Sequence, residues 1–259
     1  MFLEKILLIK REEAKKIKKI IEDIKELNIE KRSLINSLSK KNGIHIIAEI
    51  KRSSPSLGII KQNLDIAKMA ISYQEAGSSA ISIVTDETYF SASWKDIKKI
   101  KSITNLPILA KDFIIHPIQL ELLKKAGADA VLFIMRILDE DTYFNLFEKA
   151  KELNLDVLVE VHNLEDIKLA TKLPINLIGV NRRDLNTLTI KRELTAKLFK
   201  YLPKQVIKIA ESGIENVSEI KYLKNMGYAA CLIGTALLRS YKSRKLIFNQ
   251  LKLNYTRQL

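Results

Sequence analysis

The chain has 259 residues, of which 47% are hydrophobic, and a formal net charge of +14 at pH 7. Its 8 glycines and 5 prolines are too few for a collagen-like or low-complexity chain, so we expect a sizeable globular core. No uninterrupted apolar run reaches the roughly 18 residues of a membrane span, and the N-terminal Met-Phe-Leu-Glu-Lys does not resemble a signal peptide. Because the single Cys231 can form no internal disulfide, we expect a cytoplasmic protein.

The first 44 residues predict a helical extension. Apolar residues such as Leu3, Ile6, Leu7 and Ile17 recur near the helical period through a charged background. A second short helix is predicted over 31–38, and the stretch 40–43 ends it.

From residue 45 onward, short apolar runs alternate with amphipathic segments of helical period. Helices are predicted, for example, over 66–76, 139–153 and 215–226. The eight strand-like runs are 45–50, 79–84, 106–110, 129–135, 155–161, 176–181, 206–210 and 229–234.

This alternation predicts βα units and a parallel sheet. Eight units within about 215 residues predict a single (β/α)8 barrel over 45–259, which forms one domain with the extension 1–44. An open doubly wound sheet is the alternative. It usually carries a glycine-rich first turn, whereas the first turn here is Ser53-Ser54-Pro55-Ser56, so the pattern favours the barrel.

Charged and polar residues end most of the predicted strands. Each alone is compatible with a solvated loop or a structural ion pair. Because the C-terminal strand ends of such a barrel meet at one mouth, the set predicts an active site there. The set comprises Glu49, Lys51, Lys111, Glu160, Asn181, Arg182, Arg183 and Glu211.

The last two strand ends predict a phosphate site. Ser212-Gly213 is expected to enter a helix at 214–215, and Gly234-Thr235 a helix at Ala236. Glycine lets the backbone approach a ligand, and the N–H groups of an opening helix favour an anion. The residues alone therefore predict an enzyme that acts on a small phosphorylated anion by acid–base chemistry.

The stretch Ile47-Ala-Glu-Ile-Lys-Arg-Ser-Ser-Pro-Ser56 resembles the signature of the indole-3-glycerol-phosphate synthase family. The resemblance extends over nearly the whole chain. It includes Leu3–Ile6, Lys10–Glu13, Thr85–Phe90, Leu109–Ile114, Val159–His162, Gly179–Leu185 and Ala210–Gly213.

The resemblance implies a carboxy-lyase of tryptophan biosynthesis. Its substrate would be 1-(2-carboxyphenylamino)-1-deoxyribulose 5-phosphate, and its products indole-3-glycerol phosphate, carbon dioxide and water. No metal or organic cofactor is implied, and the three isolated histidines show no ligand spacing. We expect a monofunctional enzyme, a monomer or weak homodimer, with no nucleic-acid or membrane partner.

The resemblance also implies the catalytic roles. Lys111 would be the general acid that protonates the ketone oxygen, and we expect neighbouring cations to move its pKa toward neutrality. Glu160 would be the general base of the dehydration. Glu49 would hydrogen-bond the sugar portion and orient Lys111. Lys51 would hold anionic groups of the substrate and is a second candidate for proton transfer.

The remaining site residues are implied to bind substrate. Arg183 with Asn181 would secure the benzoate carboxylate, and Phe90 with Leu232 would form an apolar wall. Further polar contacts would come from Ser54, Glu211 and Ser212. The phosphate would be held by Gly213, Gly234 and Thr235. Two more residues, His162 and Arg182, would support the site from close by. The family often has Gly-Ser where this chain has Ala92-Ser93, and Ser or Glu where it has Thr235.

Two alternatives remain open at this point. One is another phosphate-binding barrel, such as a sugar-phosphate isomerase or an aldolase that uses Lys111 as a Schiff-base lysine. The other is a non-catalytic basic barrel that binds nucleic acid, which steep salt dependence of binding would support. The scattered lysines, without interleaved aromatics, favour a solvated surface instead.

Overall fold

Eight parallel strands close into a barrel in chain order, with β8 paired to β1, so the predicted fold class is confirmed. The computed structural model describes residues 2–24, 29–40, 43–60, 63–239, 244–245 and 247–249. The strands are β1 (His45–Ile50), β2 (Ala80–Val84), β3 (Ile108–Lys111), β4 (Ala130–Ile134), β5 (Asp156–Val161), β6 (Leu177–Asn181), β7 (Ile207–Glu211) and β8 (Ala230–Ile233).

Helices surround the barrel and precede it. In chain order they are α1 (Phe2–Asp23), α2 (Leu34–Leu38), α3 (Ile66–Ala76), α4 (Glu87–Phe90), α5 (Lys95–Lys101), α6 (Pro117–Ala126), α7 (Glu140–Glu152), α8 (Leu164–Ala170), α9 (Leu194–Phe199), α10 (Val217–Met226) and α11 (Thr235–Arg239). In the part of the chain that is described, no helix is long and apolar enough to cross a membrane.

The helix ends follow from local capping. The side chain of Ser33 accepts a hydrogen bond from the N–H of Asn36, so α2 begins at Leu34 and not at residue 31 as predicted. Likewise Asn216 caps α10, which therefore starts at Val217 rather than at 215. The predicted bounds of α3 are met, because Asp65 caps its start and Gly77, with a φ of 99°, ends it.

Alternation along each strand divides the core in two. One set of side chains packs between the sheet and the surrounding helices; it includes Ala48, Ile83 and Val159. The other set fills the barrel and includes Ile47, Leu109, Leu158, Leu177, Ile209 and Leu232. Since side chains two residues apart leave a strand on the same face, the residues that follow this inner set by two also point into the barrel.

Residues 33–38 close the N-terminal end of the barrel. Leu34 and Leu38 of α2 join the inner core cluster. The carboxylate of Asp156 accepts hydrogen bonds from Ser33 Oγ and the N–H of Ile35, at 2.9 and 3.0 Å. Helix α1 packs on α6. This closure leaves the opposite end of the barrel as the open mouth.

Candidate active site

The inner face of the strands continues directly into the mouth. Glu49 follows Ile47 by two residues, Lys111 follows Leu109, and Glu160 follows Leu158. Asn181 follows Gly179 at the same spacing, and Glu211 follows Ile209. Five polar side chains are thus placed around one opening by the strand period alone.

Lys111 lies between two glutamates. Its Nζ is 3.1 Å from Oε2 of Glu160 and 3.4 Å from Oε2 of Glu211. Burial alone would lower the pKa of Lys111, but the carboxylates of Glu160, Glu211 and Glu49 outweigh burial and raise it. The expectation that neighbouring cations lower this pKa is wrong, because the groups around Nζ are carboxylates. Lys111 therefore keeps its proton at neutral pH.

The two glutamates have opposite pKa shifts. Burial raises the pKa of Glu211 to about 8, helped by its acidic neighbour Glu160. Burial also acts against ionised Glu160, but Lys111 and His162 outweigh it, so the pKa of Glu160 is lowered. Two carboxylates that share one ammonium cannot both ionise easily. At neutral pH the arrangement holds one carboxylate, Glu160, and one carboxylic acid, Glu211.

Glu49 pairs with Lys51 rather than with Lys111. Lys51 Nζ donates a hydrogen bond to Glu49 Oε1, and both groups are largely buried. Burial would raise the pKa of Glu49, but Lys51 and Lys111 lower it overall. The ion pair leaves no room beside it: a Cβ at Gly234 would lie 2.4 Å from Glu49 Oε1.

A second glycine makes room for Glu211. A Cβ at Gly179 would lie only 1.9 Å from Glu211 Oε1. The missing side chain on β6 is therefore what allows the carboxyl group on β7 to occupy the barrel beside Lys111. Gly179 lay within the family-like stretch, yet no role was predicted for it, because the clash involves a residue of the neighbouring strand.

Arg183 is held by the loop that follows β6. Its Nη1 donates to the carbonyl of Leu188 at 2.7 Å, and its own N–H donates to Oδ1 of Asn181 at 2.9 Å. Burial lowers the pKa of Arg183. The guanidinium stays charged and keeps further N–H groups for an anion.

The turn after β7 has an unusual backbone. Ser212 and Gly213 both have positive φ, 66° and 64°. A Cβ at Gly213 would lie 2.7 Å from Ile190 Cγ2. The predicted helix at 214–215 is wrong, because α10 starts only at Val217. At the last strand end the prediction is one residue late, since α11 starts at Thr235.

A cavity of about 310 Å³ opens at this mouth. Thirteen of the fourteen predicted site residues line it; Glu211 does not, and instead contacts Lys111 from within the barrel. Phe90 and Leu232 contribute to its apolar wall as predicted. The lining that sequence reasoning missed includes Pro55, Phe113, Ile134, Leu185, Leu188 and Ile190.

Lys10 of α1 is a buried residue for which the sequence predicted no role. It is 2% exposed, and its Nζ lies 2.8 Å from Asp112 Oδ1 and 2.9 Å from Asp86 Oδ2. Asp112 directly follows Lys111, and Asp86 caps α4, which carries Phe90. The N-terminal helix is thus tied to two loops of the mouth. This contact could not be predicted from the sequence, because the two partners lie about 76 and 102 residues from Lys10 along the chain.

Lys10→Met should destabilise the protein by about 3 kcal/mol, because it leaves the carboxylates of Asp86 and Asp112 without their cation. Urea unfolding measures this change. Lys15→Met is the control, since Lys15 pairs with Glu12 among the described residues, on the exposed side of the same helix, and its loss should cost well under about 1 kcal/mol. Equal losses for the two variants would contradict the role of Lys10.

Within the described residues, no cluster of three or more His, Cys, Asp or Glu could hold a metal ion. His162 lies beside the carboxylates, with Nε2 3.3 Å from Glu160 Oε1 and Nδ1 3.6 Å from Asp166 Oδ2. The side chains at the mouth therefore offer an ammonium donor, a carboxylate acceptor and a guanidinium, which is a set for acid–base chemistry on an anion.

The chain is similar to known proteins over most of its length. A family model described as indole-3-glycerol phosphate synthase matches residues 3–249. A protein of Caldanaerobacter subterraneus subsp. tengcongensis with that name is 38% identical over 246 residues, covering 94% of this chain and 96% of its own. A protein of Campylobacter fetus subsp. fetus, also so named, is 43% identical over 215 residues, covering 83% and 82%.

The solved structures show likeness of fold. The N-acetylmannosamine-6-phosphate 2-epimerase of Clostridium perfringens superposes with a TM-score of 0.61 at 16% sequence identity. The superposition covers 91% of this chain and all of the epimerase chain. At this identity the likeness concerns the barrel and carries nothing about the substrate.

Proposed function

The chain belongs to the indole-3-glycerol phosphate synthase family, and we propose that it converts 1-(2-carboxyphenylamino)-1-deoxyribulose 5-phosphate to indole-3-glycerol phosphate, carbon dioxide and water. The observation that carries this proposal is the position of Lys111: a charged ammonium between Glu160 and Glu211, at the floor of a cavity whose rim offers Arg183. The reaction needs a proton donor, a proton acceptor and a cation for the carboxylate, and Lys111, Glu160 and Arg183 supply them. In this role the chain acts as a carboxy-lyase.

Lys111 acts first. The aromatic carbon that bears the carboxylate attacks the ketone carbon, and Lys111 donates its proton to the ketone oxygen as the new carbon–carbon bond forms. Loss of carbon dioxide returns the bonding electrons to the ring. The raised pKa of Lys111 keeps the donor charged, so that its ammonium also stabilises the developing oxyanion.

Glu160 acts in the final step. The hydroxyl group made by ring closure leaves as water, and a carboxylate removes the proton whose loss forms the indole double bond. Glu160 is the ionised partner of the pair, so it is the base. Lys111, hydrogen-bonded to the same carboxylate, takes up a proton from solvent after ring closure and donates it to the departing hydroxyl.

Arg183 and the two glycine-containing turns bind opposite ends of the substrate. The guanidinium, fixed by the Leu188 carbonyl, receives the benzoate carboxylate. Backbone N–H groups around Gly213, Gly234 and Thr235 receive the phosphate, and Lys51, which also lines the cavity, holds anionic groups of the substrate. Ser54 and Ser212 add polar contacts, and Phe90 with Leu232 packs on the aromatic ring.

A fluorescence assay tests the proposal. Purified protein mixed with the carboxyphenylamino-deoxyribulose phosphate should produce indole fluorescence together with one equivalent of carbon dioxide. The matched control is the same compound without its carboxylate. This compound has no group to lose as carbon dioxide, so no carbon dioxide should be released from it. Absence of both signals with the complete substrate would overturn the proposal.

The geometry does not favour a Schiff-base aldolase. A lysine must lose its proton to attack a carbonyl, and the carboxylates around Lys111 oppose that loss. Borohydride trapping with a keto-sugar phosphate should therefore leave Lys111 unmodified. A cytoplasmic location, a monomer or weak homodimer, and the absence of a cofactor and of a nucleic-acid partner stay predictions.

Arg183→Ala should raise the KM for substrate by roughly 10–100-fold, because a charge-assisted contact of about 1.5–3 kcal/mol is lost. Inhibition by anthranilate-like carboxylates should weaken equally, while inhibition by inorganic phosphate should stay within about twofold. The two inhibition constants, measured in the wild type and the variant, check this. Loss of phosphate inhibition with retained carboxylate inhibition would mean that the two ends are reversed.

Substitution of Gly234 is a poor probe of the phosphate end. A new Cβ there would first meet the Glu49 carboxylate and then Lys51 Nζ, at 2.4 and 3.2 Å. Lost phosphate binding in such a variant would not be separable from a displaced Glu49–Lys51 pair. A variant that tests phosphate binding must therefore change a different residue.

A further inference from the structure

Arg182 lies behind the turn that follows β7. It is 2% exposed, does not line the cavity, and stands between Asn181 and Arg183, which do. Its Nε–H donates to the carbonyl of Ser212 at 2.8 Å, and its Nη1 donates to Glu219 Oε1 at 2.6 Å. Its guanidinium therefore joins the turn to the first part of helix α10.

The turn it contacts needs external support. Ser212 has a φ of 66°, a conformation that disfavours residues other than glycine, and Gly213 continues in the same region. Such backbone persists only where its surroundings hold it. Arg182 holds the carbonyl of the strained residue itself.

The same guanidinium also fixes the far side of the turn. Glu219, its ion-pair partner, accepts the N–H of Glu215 through its other oxygen, Oε2, at 3.1 Å. Arg182 is in turn anchored through its backbone, because its carbonyl accepts the N–H of Lys191 at 2.8 Å. Both ends of the segment 212–215, which lines the cavity, are thus connected to one buried side chain.

We propose that Arg182 is a positioning residue that sets the affinity of the site for the phosphate group, by holding the backbone of Ser212 and Gly213 in the conformation that presents their N–H groups to the ligand. This deepens the proposed function and rests on it. Arg182 does not touch the substrate. It acts through the carbonyl of Ser212, so it changes how tightly a phosphate monoester binds and not how fast the ring closes.

Calorimetric titration with glycerol 3-phosphate, together with steady-state kinetics, tests the proposal. Arg182→Met keeps the bulk and removes both donors. It should raise the dissociation constant of glycerol 3-phosphate and the KM for substrate by about tenfold each, as expected for loss of a hydrogen bond from a charged group. The kcat should change less than about threefold. Arg182→Lys should lose only part of the phosphate affinity, because a lysine ammonium cannot contact the Ser212 carbonyl and the Glu219 carboxylate together as the planar guanidinium does.

Glu219→Gln is the matched control. It removes the charge of the ion pair but leaves the bond from Arg182 to Ser212, so its affinity for glycerol 3-phosphate should stay within about twofold of wild type. Equal weakening in Glu219→Gln and Arg182→Met would overturn the proposal. So would an Arg182→Met protein that melts at a lower temperature yet binds glycerol 3-phosphate as wild type does. If Arg182→Met does not fold, Arg182→Lys decides by the same criteria.

The outcome is separable from that of the proposed function. A wild-type protein that binds glycerol 3-phosphate but makes no indole product would refute the proposed reaction and leave the role of Arg182 standing. Normal turnover with unchanged phosphate affinity in Arg182→Met and Arg182→Lys would refute only the role of Arg182.

Discussion

Lys111→Met should lower kcat by about 10²–10⁴-fold through the loss of acid catalysis, and further through the loss of charge stabilisation. Together the two losses should raise the barrier by about 3–6 kcal/mol. The side chain keeps its length and loses its proton and charge. Glu160 and Glu211 then lose the ammonium that both contact. Single-turnover measurement of indole formation gives the rate of the chemical steps directly.

A second buried lysine provides the control. Lys101 is 2% exposed and pairs with Asp129, which directly precedes β4 and so lies at the end of the barrel away from the mouth. Lys101→Met should destabilise the fold and leave the kcat of the folded enzyme within about twofold. If Lys111→Met retained more than about a tenth of kcat, a loss under ~1.4 kcal/mol, Lys111 would not be the acid.

The barrel was predictable because its strands are continuous apolar runs. A parallel sheet covered by helices buries both faces of each strand, so His45–Ile50 or Ala130–Ile134 stand out from the charged helices between them. Regular spacing of these runs then gave the closed sheet. Helix starts were less predictable: Ile214 and Glu215 look helical, but Asn216 offers a cap and shifts the start to Val217.

The members of the site were predictable, but their pairing was not. A charge at the end of an apolar strand predicts a position at the mouth, which holds for Glu49, Lys111 and Glu160. The sequence does not say which strand ends face each other. For this reason Lys111 was expected among cations and lies among carboxylates, with the opposite effect on its pKa.

Contacts between residues far apart in the sequence could not be predicted from any local pattern. Lys10 reaches Asp86 and Asp112 from a separate helix, and Gly179 makes room for a carboxyl group on the next strand. Each depends on the packing of elements far apart in the chain. Arg182 was predicted to support the site from close by, but the sequence did not indicate that the carbonyl of Ser212 is its partner.

Glu160→Gln should lower kcat by about 10²–10⁴-fold, because an amide of the same shape cannot accept the proton released in the dehydration. Steady-state turnover at pH 7 measures the loss. The expected defect lies in the last step, so a ring-closed intermediate that has lost carbon dioxide but still carries the hydroxyl group on its new ring should accumulate. Release of carbon dioxide without indole fluorescence would reveal it.

Glu211→Gln is the matched control, on the neighbouring strand and beside the same ammonium. Because burial raises the pKa of Glu211 to about 8, its carboxyl group is protonated at pH 7, and an amide imitates that form. The Glu211→Gln protein should keep kcat within about tenfold at pH 7. Wild-type activity should fall as pH rises through about 8, where ionised Glu211 would attract Lys111 away from Glu160, and this decline should be absent in the variant.

The pH dependence of stability gives an independent check of the same assignment. The pKa of Glu211 is near 4.3 in the unfolded chain and about 8 in the folded protein, so between these values the folded state holds a proton that the unfolded state has released. This carboxyl group therefore makes stability fall with rising pH from about 4 to 8, and adds no further dependence above that. The difference in unfolding free energy between wild type and Glu211→Gln should follow this course. If Glu211→Gln instead lost as much turnover as Glu160→Gln and its stability difference did not change with pH in this window, Glu211 would be the ionised partner and the roles of the two glutamates would be exchanged.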